Sequence, residues 1–86
     1  MADVPNLTLL AAYESPRPLS AADVRAAVDR RAPGEPGLDE RIAAALTYWT
    51  HEGLLERSNP REEAIHVPPS QRDAAGERLR RAGPLG

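Results

Sequence analysis

The chain has 86 residues, enough for one small domain that buries about two thirds of its unfolded surface. Hydrophobic residues make up 41% of it, which is sufficient for a packed core and too much for a disordered chain. Cysteine is absent, which excludes disulfides and thiolate metal sites. No run approaches the about 20 apolar residues of a membrane span, and the start lacks a basic region followed by an apolar one, so a cytoplasmic location is expected.

All eleven basic residues are arginine; against thirteen acids they give a formal net charge of −2. That balance weighs against strong non-specific DNA binding by a monomer, where phosphate neutralisation supplies most of the affinity, but it leaves room for a local basic patch. With no phenylalanine, one tryptophan and two tyrosines, the core is expected from Leu, Ile, Val and Ala. Trp49 is its largest expected contributor, since a buried aromatic removes about 150–250 Å² from water.

In chain order, a first helix is predicted over residues 5–14. Asp3 caps it, Pro5 suits its first turn and Ser15-Pro16 ends it. Its apolar residues (Leu7, Leu9, Leu10, Ala11 and Tyr13) cover more than half the helical wheel, wider than one core face requires. Leu9 and Tyr13 are therefore expected either to be exposed or to meet a partner chain. Pro16-Arg17-Pro18-Leu19 is an extended connector with room for a very short strand.

A second helix begins after Ser20 and runs to about Arg31, with Ser20 and Asp23 spaced as a capping box and Val24, Ala27 and Val28 on one face. Pro33-Gly34-Glu35-Pro36-Gly37 turns the chain into a third helix, residues 38–52. Leu38, Ile42, Ala45, Leu46 and Trp49 share one face of it. Gly53 follows, where a left-handed cap is cheapest for glycine. Leu54-Leu55 and Ile65/Val67 then flank residues 59–63, a hairpin tip. Pro68-Pro69 stops the second strand. A last helix over 71–82 is expected to be capped by Ser70 and to carry Arg72, Arg78, Arg80 and Arg81, with a thin apolar edge of Ala75, Leu79 and Ala82. Gly76 weakens it by about 1 kcal/mol relative to alanine.

The order of these elements, with L-S-A-A-D-V at 19–24 and I-A-A-A-L-T-Y-W-T-H-E-G-L-L-E-R at 42–57, resembles the winged helix-turn-helix superfamily of small bacterial transcriptional regulators over residues 5–67. The resemblance implies a mostly α fold with a small β-hairpin: a three-helix core plus wing over 1–69, and a C-terminal helix and tail over 70–86 suited to dimerisation. It further implies a regulator that binds double-stranded DNA, with the 38–52 helix toward the major groove and the 54–67 wing near the backbone. The residues so placed are Arg41, Ala44, Thr47, Tyr48 and His51 on the helix, and Arg57 and Arg61 on the wing. A homodimer through the first and last helices would use the surplus apolar surface.

The residues themselves fit this unevenly. A groove-reading helix normally offers Arg, Lys, Asn or Gln to base edges, whereas this first turn carries Asp39 and Glu40 beside Arg41. Acids at that position also have a purely structural role, stabilising the helix dipole by roughly 0.3–1 kcal/mol. The alternative expectation is a winged helix that serves as a protein-interaction module or adaptor in a larger assembly.

Catalysis, cofactors and metals are not expected. His51-Glu52-Gly53-Leu54-Leu55 lacks the second histidine of a zinc-protease motif, and Gly34/Gly37 lie among prolines without a phosphate-loop context. No Ser–His–carboxylate spacing stands out. His66 is expected on the outward, solvent-exposed side of its strand.

Overall fold

The computed structural model describes residues 2–58 and 64–83; the hairpin tip 59–63, with Arg61, lies outside the described residues. Helix α1 spans Val4–Glu14, α2 Ala21–Arg31, α3 Leu38–His51 and α4 Arg72–Ala82. Two short strands, β1 Glu56–Arg57 and β2 Ile65–His66, lie between α3 and α4, and a single 3₁₀ turn at Pro69–Gln71 leads into α4. The fold is mostly helical with one small antiparallel sheet.

The helix starts follow local chemistry. Asp3 accepts from the Asn6 amide at 3.2 Å, supplying one of the four partners that the first turn of a helix lacks. At α2, Ser20 Oγ accepts from the Asp23 N–H at 3.1 Å while Asp23 Oδ2 accepts from the Ser20 N–H at 3.2 Å, so the capping box forms with Asp in the usual Glu position. Gly37 has no side chain with which to cap α3. Asp39 and Glu40 in the first turn oppose its positive dipole end instead.

Helix α3 ends in a Schellman motif. Gly53 takes φ +80°, its N–H reaches Thr50 O at 3.1 Å, and the Leu54 N–H reaches Trp49 O at 3.0 Å. The Leu55 N–H also points to Trp49 O, at 3.3 Å. Leu54 and Leu55 are buried, but their N–H groups serve the helix end rather than a sheet. The ladder therefore begins only at Glu56, and the strands are shorter than the 54–67 pattern suggests. Glu56 pairs with His66 and Arg57 with Ile65. On its other edge β2 meets the connector after α1: Leu19 and Ile65 exchange both backbone hydrogen bonds, at 2.9 and 2.8 Å. The sheet is thereby pinned to the helices through a side chain that is fully buried, Ile65.

Helix α1 is the centre of the packing, with α2, α3 and α4 all laid against it. This explains its broad apolar surface. Leu9 is fully buried, and Tyr13 is partly buried against α4, so the chain itself covers what the sequence pattern left for solvent or a second copy. Helix α4 joins the same core through Ala75, Gly76 and Leu79. A Cβ on Gly76 would lie 2.8 Å from the Tyr13 hydroxyl and 3.3 Å from its ring, so glycine is what lets that ring lie across α4. Arg72 also stacks on this ring, its guanidinium 4.4 Å from the Tyr13 ring centroid.

Two local expectations change. Ser70 does not cap α4: Pro69 opens a 3₁₀ turn closed by the Gln71 N–H on Pro68 O at 2.8 Å, which delays the helix start past the serine. His66 is half-buried rather than outward in solvent, because it sits directly across from Glu56 in the ladder. The stripe Leu38, Ile42, Ala45, Leu46 and Trp49 is buried throughout, as its spacing predicts.

Leu9→Ala should lower the unfolding free energy by about 2–5 kcal/mol, the usual cost of emptying a filled core site. Urea denaturation of Leu9→Ala beside Leu7→Ala measures it; a negligible loss at Leu9 alone would mean that this face of α1 is not part of the filled core.

Candidate functional site

The outward face of α3 exposes Glu40, Ala43, Ala44, Thr47, Tyr48, Thr50 and His51, opposite the buried stripe. Four of the expected contact residues, Ala44, Thr47, Tyr48 and His51, are therefore presented together. Arg41 is not free among them. Its Nη1 donates to Glu35 Oε2 at 2.9 Å and its Nη2 to Ala2 O at 3.1 Å. Glu35 Oε1 in turn accepts from the Ala2 N–H at 3.1 Å. One carboxylate from the α2–α3 turn thus clamps both the start of the chain and the first turn of α3.

This pair is the most sheltered ion pair among the described residues, with side-chain exposures of 30% for Arg41 and 19% for Glu35. The Ala2 N–H and then the Arg41 guanidinium hold the Glu35 carboxyl below its ordinary range. Asp39, beside it, is paired across to Arg25 at 2.5 Å. Among the described residues Glu40 has no such partner, so the entering turn of α3 presents a carboxylate where a groove reader needs a donor.

Thr47 turns its hydroxyl back to Ala43 O at 3.1 Å. Tyr48 stands 45% exposed, and its hydroxyl accepts from Arg78 Nη2 at 2.9 Å. Arg57 lies exposed on β1, on the hairpin rather than on α3. Arg61 lies outside the described residues.

A groove of about 620 Å³ runs along this helix. Its α3 wall is Arg41, Ala44, Ala45, Tyr48 and Trp49, positions that recur on one strip of a helix. Pro5 and Asn6 of α1 form the facing wall, and Arg78 of α4 closes one end. The Arg78 guanidinium lies 5.3 Å from the Trp49 ring centroid, and Tyr48 meets Trp49 edge-on at 4.8 Å. Asn6 Oδ1 is buried in this wall without a hydrogen-bond partner. That Arg78 and Asn6 approach α3 is not legible in the sequence, because it depends on how α1 and α4 cross it.

Two other arrangements come from tertiary placement. A second groove of about 380 Å³ between α1 and α2 is lined by Arg17, Arg30 and Arg31 against Glu14 and Asp23. On the hairpin, Ser58 Oγ lies 3.3 Å from His66 Nδ1, and His66 Nε2 lies 3.5 Å from Glu56 Oε2. Cross-strand pairing creates this Ser–His–Glu contact, which spacing along the chain does not reveal. Nδ1 also lies 3.4 Å from Ala64 O; the ring tautomer decides whether it donates there or accepts from Ser58.

Among the described residues no helix is long and apolar enough to cross a membrane, and no three His, Asp or Glu side chains gather to hold a metal ion. Comparison with family models, with curated proteins and with solved structures returned no match.

Because the folded-state value for Glu35 is lowered, its contribution is present above the ordinary glutamate range near pH 4.3 and is lost as pH falls through the depressed value. Glu35→Gln should therefore be less stable than the parent at neutral pH, with the gap closing under acid. Thermal melts from pH 7 to pH 2.5, conditions spanning about that range, read this directly; a pH-independent gap would place the effect in packing rather than in the clamp.

Proposed function

We propose that this chain is a winged helix domain that works as a protein-interaction module, with the outward face of α3 as its docking surface. The succession α1, bridging connector, α2, turn, α3 and two-stranded ribbon supports the fold assignment, and Leu19 paired to Ile65 supplies the additional strand position beside the ribbon. The observation that carries the interaction reading is the engagement of Arg41. It is the sole arginine on α3, and Glu35 with the Ala2 carbonyl already occupies it. What remains outward is Glu40, Ala43, Ala44, Thr47, Tyr48, Thr50 and His51, among which there is no arginine. Protein interfaces favour tyrosine, and Tyr48 stands exposed on this face.

The second reading is a cytoplasmic, DNA-binding transcriptional regulator with α3 toward the major groove. It is favoured by the outward presentation of Thr47, Tyr48 and His51 on one helix, with Arg57 on the adjoining ribbon. Because α3 and α4 cover the surplus apolar face of α1, a homodimer in that reading would need a different surface from the one first expected.

Fluorescence anisotropy against mixed genomic duplexes at about 50 mM and 200 mM salt separates the two. The interaction reading expects no saturable DNA binding at the higher salt. It also expects Thr47→Glu, a change on an exposed position, to abolish capture of a stoichiometric protein partner without lowering the melting temperature. Tight duplex binding whose affinity falls steeply with salt, and which Arg57→Ala weakens, would replace it with the DNA reading.

A further inference from the structure

We propose that the groove between α1 and α2 binds a soluble phosphate monoester with a small apolar body, its phosphate held by Arg17 and Arg30 and its body on the floor between the helices. No residue of α3 lines this groove, so the site is independent of the partner that α3 takes.

The pairing of charges singles this groove out. Arg25, Arg31, Arg41, Arg78, Arg80 and Arg81 each meet a carboxylate, whereas the side chains of Arg17 and Arg30 meet none among the described residues. Both line the groove, Arg17 from the connector after α1 and Arg30 from the last turn of α2. The two acids beside them are already engaged: Glu14 accepts from Arg31 at 2.8 Å, and Asp23 Oδ2 accepts from the Ser20 N–H at 3.2 Å. Asp23 also stands seven residues before Arg30, about 10 Å along the helix at 1.5 Å per residue, and forms no ion pair with it.

The groove, about 380 Å³, therefore holds two guanidiniums with their donors unspent. Arginine presents its donors in a planar fork that matches phosphate oxygens, and a phosphate monoester carries about −1.5 to −2 charges at pH 7, close to the two positive charges offered. The floor sets the rest of the ligand. Leu7 and Ala11 of α1, Leu19 of the connector and Ala27 of α2 line it. Ala11, Leu19 and Ala27 are half-buried, and the two alanines are too short to fill the space between the helices. Inorganic phosphate or a nucleic-acid backbone would meet the arginines and leave those carbons against water. A monoester with a short hydrocarbon body covers them, which is favourable in proportion to the apolar area removed from water. A membrane lipid keeps its chains in the bilayer and leaves this floor uncovered, so the ester is soluble.

Amide-resolved NMR titrations of the full chain test this, with hexyl phosphate as the probe and inorganic phosphate, hexanol and hexylammonium as controls. Hexyl phosphate is expected to shift the amides of Ala11, Leu19 and Ala27 saturably. The three controls should bind at least about tenfold more weakly, since each lacks the apolar body or the negative charge. Arg17→Gln and Arg30→Gln should each weaken hexyl phosphate by about tenfold, the loss of one charge-assisted contact, while Arg80→Gln, outside the groove, leaves it unchanged. Both arginines are exposed, so melting temperatures should stay at the parent value. Ala26→Glu sets a carboxylate in the groove from an exposed helix position and should weaken the probe similarly, which keeps the test valid if either glutamine variant disturbs the fold.

No saturable shift with hexyl phosphate, equal binding of inorganic phosphate or hexylammonium, or glutamine variants that bind like the parent overturns the inference. Sedimentation with phosphatidic acid vesicles that depends on the same arginines, beside weak hexyl phosphate binding, puts the phosphate on a lipid and overturns it too. None of these outcomes bears on the α3 docking surface, which the anisotropy and capture experiments read separately.

Discussion

Trp49 is where the parts of this molecule are tied together. Its indole N–H donates to the Pro5 carbonyl at 2.6 Å, fixing the first turn of α1 to the end of α3. Its own carbonyl accepts from both Leu54 and Leu55, which sets the direction in which the chain leaves the helix. Its ring is buried in the core and still forms part of the surface groove, with Tyr48 against its edge and Arg78 nearby. A buried aromatic with a satisfied polar atom contributes area and direction together, and here one residue orients two helices and the ribbon.

Around that anchor, the surface charge is organised by pairing. Arg25 meets Asp39, Arg31 meets Glu14, Arg41 meets Glu35, and Arg80 and Arg81 both meet Glu77. Most of these pairs are well exposed and add little stability. Their effect is on the field the protein projects. Cations consumed locally by acids do not sum into the continuous positive face that draws a polyanion, which is why a chain with eleven arginines offers α3 so little phosphate-seeking charge. The Glu35 clamp is the sharpest case, because it removes the arginine best placed on α3 to reach a nucleic acid.

Local signals in the sequence were readable wherever structure is determined by neighbours in the chain. Asp3, the Ser20–Asp23 box and Gly53 sit where capping chemistry places them, and the Leu38–Trp49 stripe turns inward as its period requires. What escaped was set by contacts between distant segments. Leu9 looks superfluous until the other helices close over α1, and Ser70 looks like a cap until two prolines impose a tighter turn first. Leu54 and Leu55 read as an apolar strand segment, yet their N–H groups are claimed by the preceding helix. The outward residues of α3 followed from helical geometry alone. That Arg41 is engaged followed only from a turn six positions upstream and a backbone carbonyl at the start of the chain.

The Glu35 clamp has a practical corollary for anyone labelling the molecule. Because Ala2 is held by both its N–H and its carbonyl at the foot of α3, any polypeptide joined upstream must depart beside the rim formed by Arg41. A reporter or purification handle fused there would lie beside that rim.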